Sequence, residues 1–509
     1  MMKDNLVHIA TSSVLLLIMI TGVVGCEGAD GQDEYDNQWS FEDETDVMDI
    51  LWMISNTSRM CGSQQMLRDG ADAFAEGLAT SNIDFHVAVT TSHMEEASTV
   101  EPVAQPGRLQ ATPQPVPGYA PSCAFAPYNA DDPEVQDPDG LVEVGDPNPA
   151  RLDPVVAQID AAIECTEEPE QWTHLRDFDE DQLRCALPAR NECDEALHAP
   201  DDPYCTCPMG EEHGFENCLD CDALEQRAPI ESFYPEPEAY RQLDVVLRAT
   251  DYRDEDGQID ADELRADFRC MSMVGTRGDG YNRGLESINK AVSPQMTGGV
   301  YPEFEDALEV RDIYPNSGFL RDDGGDGDGG GDGGGGRTAI LFASAANDCS
   351  HGGAMESTIC GATECLIQEK RGSQGDLIPT DELASQFVQN VADSRGIENV
   401  EAVAQTTFPA AFLGQYQGLD GIEEALGEPV PIECSSSSPE WATSGSVAIP
   451  ESCRSEQAVA WSGHRYTYFM EEFAWYYPQP ESPGESASGG EMCNGFDGII
   501  QEMFEPGIY

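Results

Sequence analysis

The chain has 509 residues, with 96 acidic side chains against 25 basic ones and a formal net charge of −71. Nucleic acids and anionic membrane surfaces are therefore excluded as partners over most of the surface, because like charges repel. Apolar residues make up 40% of the chain, which excludes a wholly disordered acidic protein. The chain has three lysines, Lys3, Lys290 and Lys370. A surface with many carboxylates and few lysines suits a salty extracellular medium, because salt screens the repulsion between the carboxylates.

An apolar run near the start, Ser13 to Val24, has the length of a signal peptide and is too short for a stable membrane anchor. It ends in Val23-Val24-Gly25-Cys26, which resembles the lipobox of bacterial lipoproteins, whose cysteine is diacylated and becomes the new N-terminus. Residues 1–26 are thus expected to be a signal peptide, followed by an acidic tether at 27–45. We expect an exported outer-membrane or cell-surface lipoprotein, with secretion or a periplasmic location after ordinary signal cleavage as the alternative.

Cysteine usage also indicates an oxidising compartment. Of the 17 cysteines, 16 remain once Cys26 is set aside, an even number that permits pairing into disulfides. A Pro-rich and Cys-rich segment, residues 95–237, is predicted to be an irregular insertion held by disulfides. Its cysteines between 162 and 221 are Cys165, Cys185, Cys193, Cys205, Cys207, Cys218 and Cys221. A four-sulfur zinc site made by the last four is the alternative, which export disfavours.

Hydrophobic patterning predicts an α/β chain. Continuous apolar runs predict strands at Asp49–Ile54, Asp84–Thr90, Thr338–Ala343 and Asn399–Ala404, with regular structure resuming at Leu243–Leu247 after the insertion. Apolar residues at helical spacing predict helices at Leu67–Leu78 with Ser63 as N-cap, Ala261–Cys270, Leu285–Val292 and Thr380–Val391. The first strand, helix and second strand form a βαβ unit of about 45 residues, so the sheet should be parallel.

Two further segments complete the organisation. Residues 322–336 are Asp and Gly alone and are expected to form a flexible loop. Residues 431–509 are expected to be a Cys-containing and aromatic C-terminal extension, whose cluster at Trp461–Tyr477 packs back on the main domain.

Several of these segments resemble the successive landmarks of a von Willebrand factor A (VWA) domain, in the insertion-rich form found in bacterial lipoproteins. They are Ile50–Met60, Asp84–Met94, Val274–Leu285, Asn316–Arg321 and Ile340–Ser350. The resemblance covers residues 46–430, apart from the insertion and the Asp/Gly loop. It implies an open, mostly parallel, Rossmann-like sheet with helices on both faces, whose ligand site lies at the carboxyl ends of the strands.

VWA domains commonly hold Mg²⁺ at a metal-ion-dependent adhesion site, through an Asp-x-Ser-x-Ser loop, a Thr and a second Asp. The aligned positions here are Ser55, Thr57 and Arg59 in the first loop, Thr276 or Asp279 in the second, and Ala345 after a further strand. Both carboxylates are replaced and a guanidinium is gained. Two unit charges about 4 Å apart interact by roughly 4 kcal/mol at an effective dielectric of about 20, so Arg59 would oppose a divalent ion by about twice that. We therefore expect a degenerate site that binds no metal, with an Asp279–Arg59 ion pair in its place.

Other motifs favour structural interpretations. Asp254–Asp260 with Glu263 resembles part of a Ca²⁺-binding EF-hand loop, but Tyr252 falls where a ligand Asp is needed, so a turn followed by a helix is preferred. The chain contains no Gly-x-Ser-x-Gly elbow, no His-Glu-x-x-His and no glycine-rich nucleotide motif. Neither catalytic residues nor a cofactor are expected.

These observations predict a non-enzymatic binding or adhesion protein that recognises a protein or glycan without a bridging metal. Its expected contact surface is formed by Asn56–Ser63, Arg277–Tyr281 and Ala345–Gly353, enlarged by the insertion. Because Cys61 and Cys349 follow neighbouring strands of the VWA fold, a disulfide between them is a further hypothesis. Two alternatives remain: a metal-dependent VWA adhesin with Asp279 among rearranged ligands, and an exported hydrolase whose unrecognised site lies in the insertion or the extension.

The lipid anchor predicts that cells incorporate radiolabelled palmitate into the protein, because diacylation of Cys26 adds fatty acids to the mature N-terminus. Cys26→Ser is expected to abolish the label, since it removes the acceptor sulfur. Mass spectrometry of the mature protein measures the same modification. A lipid-free mass for the unmutated protein would show that the anchor does not exist.

Overall fold

A five-stranded sheet lies at the centre of the molecule, in the order β3-β2-β1-β4-β5. Its strands are β1 (Val47–Ile54), β2 (Asp84–Thr91), β3 (Leu247–Arg248), β4 (Arg337–Ala343) and β5 (Thr407–Leu413). Neighbouring strands are parallel except for the short β3, which is antiparallel to β2. In register, Trp52 of β1 lies between Val89 of β2 and Leu341 of β4. The predicted α/β class with a mostly parallel sheet is confirmed.

The computed structural model describes the chain in segments. These are residues 47–57, 60–81, 83–94, 106–114, 153–177, 179–186, 230–255, 257–275, 282–299, 313–321, 336–344, 347–351, 365, 377–413, 453–454, 459–460 and 463–473. Within these segments, no helix has both the length and the apolar character needed to cross a membrane.

Helices connect and cover the strands. The α-helices are α1 (Cys61–Asp69), α2 (Ala71–Thr80), α3 (Asp153–Glu164), α4 (Pro169–Trp172), α5 (Glu180–Ala186), α6 (Ala249–Tyr252), α7 (Ala261–Met271), α8 (Gly284–Ala291), α9 (Pro294–Thr297), α10 (Thr380–Arg395), α11 (Val400–Thr406) and α12 (His464–Glu471). Short 3₁₀ helices cover Thr173–Arg176, Ile230–Phe233 and Pro237–Ala239, and a two-stranded ribbon pairs β6 (Cys453–Arg454) with β7 (Val459–Ala460).

Alternation along β1 divides the core into two layers, because successive strand residues point to opposite faces. Trp52 packs on one face against Phe74 of α2 and Phe268 of α7, with ring centroids 5.3 Å away in each case. Leu51 and Met53 belong to the core cluster on the other face, with residues of α8, α10 and α12. Both faces of the central strand are thus covered by helices, which explains why β1 reads as a continuous apolar run.

Three sequence expectations are corrected. The helix after β1 begins at Cys61 and not after Ser63, and a break at Gly70 divides it into α1 and α2, as expected for a weak helix former. The predicted strand at 399–404 is wrong, because residues 400–404 lie in helix α11, and β5 follows. In the range Leu243–Leu247, only Leu247 lies in a strand, as the first residue of β3. The residues before it turn, because the Asp244 side chain accepts a hydrogen bond from the Val246 N–H (3.3 Å).

The described parts of the insertion pack in two places. Residues 106–114 form neither helix nor strand: Leu109 belongs to the main core, Gln110 N–H donates to the Val89 carbonyl of β2 at 2.8 Å, and Gln114 pairs with Val274. The later part forms a second small core. Helices α3 to α5 pack with the segment around Tyr240, and a disulfide joins Cys165 to Cys270 of α7. The expectation of disulfides is confirmed here. Cys205, Cys207, Cys218 and Cys221 lie outside the described residues.

The C-terminal extension contributes to the main core. Phe342 of β4 contacts Tyr466 and Phe469 of α12, with ring centroids 5.0 and 5.7 Å apart, and Phe473 packs against Phe469 at 5.2 Å. These rings belong to the same cluster as the sheet. For residues 463–473, the expectation that the aromatic cluster packs back on the main domain is confirmed.

A buried carboxylate holds the amino-terminal edge of the sheet. Asp49 of β1 has no solvent exposure. Its Oδ1 accepts a hydrogen bond from Arg321 Nε (2.8 Å), and its Oδ2 accepts one from Arg395 Nη2 (2.5 Å) at the end of α10. Arg321 also donates to the Asp84 carbonyl (2.9 Å), and Arg395 donates to the Gly336 carbonyl. One side chain thereby connects β1 to the starts of β2 and β4 and to α10.

Asp49→Asn is expected to lower the free energy of unfolding by about 3–5 kcal/mol, because it removes the anion that Arg321 and the fully buried Arg395 share. Urea unfolding measures the loss. Asp84→Asn is the matched control: the Asp84 side chain is 37% exposed and pairs with Arg321 Nη1 at 3.2 Å, so its loss should cost less than about 1 kcal/mol. Equal losses in the two variants would contradict the assigned role of Asp49.

The ring of His86 on β2 faces the same network. Its Nδ1 donates to the Phe319 carbonyl at 2.9 Å, and Nδ1 lies 3.8 Å from Asp49 Oδ1. Burial lowers the pKa of His86 below its usual value, and the nearby charges of Arg321 and Arg248 lower it further, while Asp49 opposes them. The imidazole therefore stays neutral in the native state at a pH where the unfolded chain binds a proton.

This difference in pKa predicts that stability falls as the pH drops below about 6.5, the unfolded-state value, and goes on falling until the native His86 is protonated. Above about pH 6.5 the contribution is complete. Urea unfolding of the wild type and of His86→Gln between about pH 5 and 8 measures it. The variant should lose less stability on acidification, and since carboxylates titrate in both proteins, parallel curves would contradict the prediction.

Candidate functional site

Loops that follow β1, β2 and β4 meet at one edge of the sheet, because the carboxyl ends of parallel strands lie together. We call this edge the strand-end edge; its described residues are 55–57, 92–94, 282–283, 344 and 347–351. Ligand sites of open α/β sheets form at such edges. The candidate site is therefore built from polar residues that come from distant parts of the sequence.

A cluster of neutral side chains occupies the middle of the strand-end edge. Ser92 Oγ donates to Ser55 Oγ (3.2 Å), and Ser55 Oγ donates to Thr57 Oγ1 (3.3 Å). Asn56 Oδ1 lies 3.4 Å from Ser92 Oγ. All four residues are buried, and Ser55 N–H donates to the Ala343 carbonyl at 2.8 Å. The loops after β1, β2 and β4 are thus joined by uncharged groups.

Asp348, in the loop after β4, is a buried carboxylate of this edge, and its two oxygens accept four hydrogen bonds. Oδ1 accepts from Leu285 N–H (3.0 Å) and Ser350 Oγ (2.9 Å). Oδ2 accepts from Ser350 N–H (3.0 Å) and Arg465 Nε (3.2 Å). Since two carboxylate oxygens offer about four lone-pair sites, the acceptor capacity of Asp348 is filled by the protein.

These contacts also cap helix α8. The residue before the helix, Arg283, makes no side-chain cap. Asp348 accepts from the N–H of Leu285, and Ser350 Oγ accepts from the N–H of Glu286 at 2.9 Å. A negative charge at a helix N-terminus is favourable, so the loop after β4 supplies the caps that the sequence next to α8 lacks.

Asn282 joins the segment after β4 to Tyr466 of α12. Asn282 Nδ2 lies 2.7 Å from Ser344 Oγ and 2.9 Å from Tyr466 Oη. Burial raises the pKa of Tyr466 well above its usual value, and the charge of Asp348 raises it further, so the phenol stays protonated. At Gly284 a Cβ atom would clash with Tyr466 Oη and approach Met53 Cε to 2.6 Å. A larger residue at the start of α8 would therefore force Tyr466 or Met53 to shift.

The structure brings together part of the predicted metal site. Ser55 and Thr57 are neighbours in the neutral cluster. Arg59, Thr276, Asp279 and Ala345 lie outside the described residues, so the expected Asp279–Arg59 pair is untested. In the part of the chain that the structure describes, no group of three or more His, Cys, Asp or Glu side chains is placed to hold a metal.

The segment that resembles an EF-hand loop forms a turn followed by helix α7. Gly257 has φ +82°, and Gly257 N–H donates to the Asp254 carbonyl at 3.0 Å. Asp260 Oδ1 accepts from the N–H groups of Asp262 and Glu263, both at 3.0 Å, and so caps α7. The preferred interpretation of these residues as a turn and a capped helix is confirmed.

The proposed disulfide between Cys61 and Cys349 is wrong. Cys349 is bonded to Cys365, 16 residues further along the chain, and a sulfur in one disulfide cannot form another. This bond closes a loop next to the strand-end edge, where Cys349 N–H donates to the Asn282 carbonyl at 2.5 Å. The loop after β4 is therefore held by its own disulfide.

Sequence reasoning did not identify the charged pair of this site. It placed the acidic position at Ala345, whereas Asp348, three residues later, is the buried carboxylate. Asp348 could have been found by examining every acidic residue of that loop. Arg465 lies 117 residues away, in a segment chosen for its aromatic residues alone, and no local pattern indicates its partner.

Comparison with protein-family models, with curated proteins and with solved structures finds no match for this chain.

Proposed function

We propose that the protein is a non-enzymatic, exported binding protein that uses a VWA-like scaffold to recognise a protein or glycan without a bridging metal. The landmarks that resemble a VWA domain include Ile50–Met60, Asp84–Met94 and Ile340–Ser350. The corresponding strands β1, β2 and β4 are adjacent and parallel. Their loops therefore meet where a VWA-like domain would contact its partner.

One observation carries the proposal: Asp348, the buried carboxylate of the strand-end edge, is already balanced by a cation of the protein. Arg465 lies 3.2 Å from Asp348 and is itself buried. The hydroxyl groups in the middle of the edge are neutral and hydrogen-bond to one another, and Arg283, which is also buried there, adds a positive charge.

A bridging Mg²⁺ does not fit these residues. Such an ion requires oxygen ligands near octahedral geometry and usually one or two carboxylates. Asp348 offers no free lone pair, because all four are used by Leu285, Ser350 and Arg465. Ser55 stands where a carboxylate ligand would be needed. The metal-dependent alternative is therefore the weaker one.

The contact surface must then be the outer layer of these loops. The described inner residues are shielded from solvent: Ser92 and Asp348 have no exposure. The loops proposed for contact are Asn56–Ser63, Arg277–Tyr281 and Ala345–Gly353, whose described residues Thr57, Asp348 and Ser350 belong to the shielded inner part. We propose that a partner binds these loops by shape and hydrogen bonding, while the buried polar cluster fixes their positions.

Export is supported by the disulfides. Cys165–Cys270 and Cys349–Cys365 are both buried, and such bonds persist in oxidising compartments. Anchoring through Cys26 would place the binding surface at the cell envelope.

Binding that needs no metal should survive chelation. We expect the purified protein to capture the same partner from solubilised native envelope in EDTA and in Mg²⁺. Arg59→Glu, in the proposed contact surface, should reduce capture by about tenfold, which corresponds to about 1.4 kcal/mol. Arg337→Glu is the matched control, because Arg337 begins β4 at the opposite edge of the sheet, and it should bind like the wild type.

Three outcomes would contradict the proposal. The first is a partner lost in EDTA and regained in Mg²⁺, and the second is stoichiometric Mg²⁺ or Mn²⁺ at the strand-end edge of the purified protein. The third is specific labelling by a hydrolase activity probe, which would indicate an enzyme.

A further inference from the structure

Arg465 is held between two oxygens that belong to different chain segments. Its Nε donates to Asp348 Oδ2 (3.2 Å), and its Nη2 donates to the Ile378 carbonyl (2.7 Å). Its backbone N–H donates to Asn347 Oδ1 at 3.0 Å. The side chain is 4% exposed, so the guanidinium connects the loop after β4, the segment before α10 and helix α12 inside the protein.

The oxygens around the guanidinium are of the kind that bind a hard cation. Carboxylate and backbone carbonyl oxygens are the ligands that Ca²⁺ takes in proteins. Asp348 and Ile378 supply one of each, and Ile378 N–H donates in turn to the Ser350 carbonyl at 3.0 Å. A buried carboxylate requires a positive partner or must be neutralised, and here helix α12 provides that partner.

We propose that Arg465 is a permanent internal cation of the strand-end edge: its guanidinium replaces a bound metal ion as the partner of Asp348 and fixes the loop after β4. This inference rests on the proposed metal-free function and deepens it. A planar guanidinium donates to both oxygens at once and stays charged at any physiological pH. The loop therefore keeps one conformation whatever the divalent cation concentration of the medium.

Removing the guanidinium should make the protein respond to added cations. In sodium chloride, Arg465→Ala should lower Tm by about 10 °C, because Asp348 is left buried and unpaired. At matched ionic strength, Ca²⁺, Mn²⁺ or methylguanidinium should recover at least about half of that shift. Manganese electron paramagnetic resonance should show one more bound Mn²⁺ in Arg465→Ala than in the wild type.

Control variants separate this effect from diffuse binding to an acidic surface. Arg176→Ala removes an exposed arginine that pairs with Asp160 at 2.7 Å, and it should respond to Ca²⁺ like the wild type. The double variant Asp348→Asn/Arg465→Ala removes both charges and should show no additional site. Arg465→Lys keeps a charge near Asp348, so it should fold without divalent cations and respond as the wild type does.

Several results would overturn the proposal. Arg465→Met as stable as the wild type would show that the charge is not needed. Arg465→Ala could instead be destabilised equally in sodium, calcium and methylguanidinium salts, or remain unfolded in all three. Either result would show that Arg465 stabilises the protein by packing and not by its charge. If it folds only in calcium or methylguanidinium salts, the proposal is supported. None of these measurements uses the binding partner, so they can reject the role of Arg465 without rejecting the proposed metal-free binding function. That function is tested separately, by whether capture of the partner is sensitive to EDTA.

Discussion

The carboxylate of Asp49 lies in the central strand, is shielded completely from water and is shared by two arginines. A charge in that position is tolerated because two guanidinium groups approach its two oxygens from different directions. The arginines in turn donate to the Asp84 and Gly336 carbonyls, so groups at the starts of β2 and β4 are satisfied as well. The parallel sheet is thereby aligned at its amino-terminal edge by one side chain of its central strand.

The carboxyl-terminal edge follows the same principle. Asp348 is buried, all its acceptor sites are filled, and its positive partner Arg465 comes from a helix far along the chain. Each edge of the sheet is therefore fixed by a buried carboxylate and by arginine. Arginine suits this role better than lysine because its planar group donates to several acceptors, and of the 25 basic residues all but three are arginine.

The contacts at the strand-end edge affect the proposed function because they hold its loops rigid. The buried hydroxyl cluster, the charged pair and the Cys349–Cys365 disulfide hold the inner parts of the strand-end loops in place. A binding surface whose loops are fixed in advance loses less conformational entropy when a partner binds. In the proposed function the interior supplies this order, and the outer layer of the loops supplies the contacts.

The local pattern of side chains determined the class of the fold. Apolar runs located β1, β2 and β4, and helical spacing located α7, α8 and α10, because burial on both faces and a period of 3.6 residues leave direct traces in the order of residues. The same criterion failed at 399–404, where Val400, Val403 and Ala404 lie at helical spacing within a short apolar segment that also resembles a strand.

Tertiary structure alone decided which distant groups meet. The sequence indicated that the aligned metal ligands were degenerate, but it could not show that Asp348 takes its charge partner from α12 or that Cys349 bonds to Cys365. A carboxylate is compatible with any of the 25 basic residues, and each cysteine with many others. Pairing depends on where packing of the core places each segment, and the packing of Tyr466 and Phe469 against β4 is what brings Arg465 to Asp348.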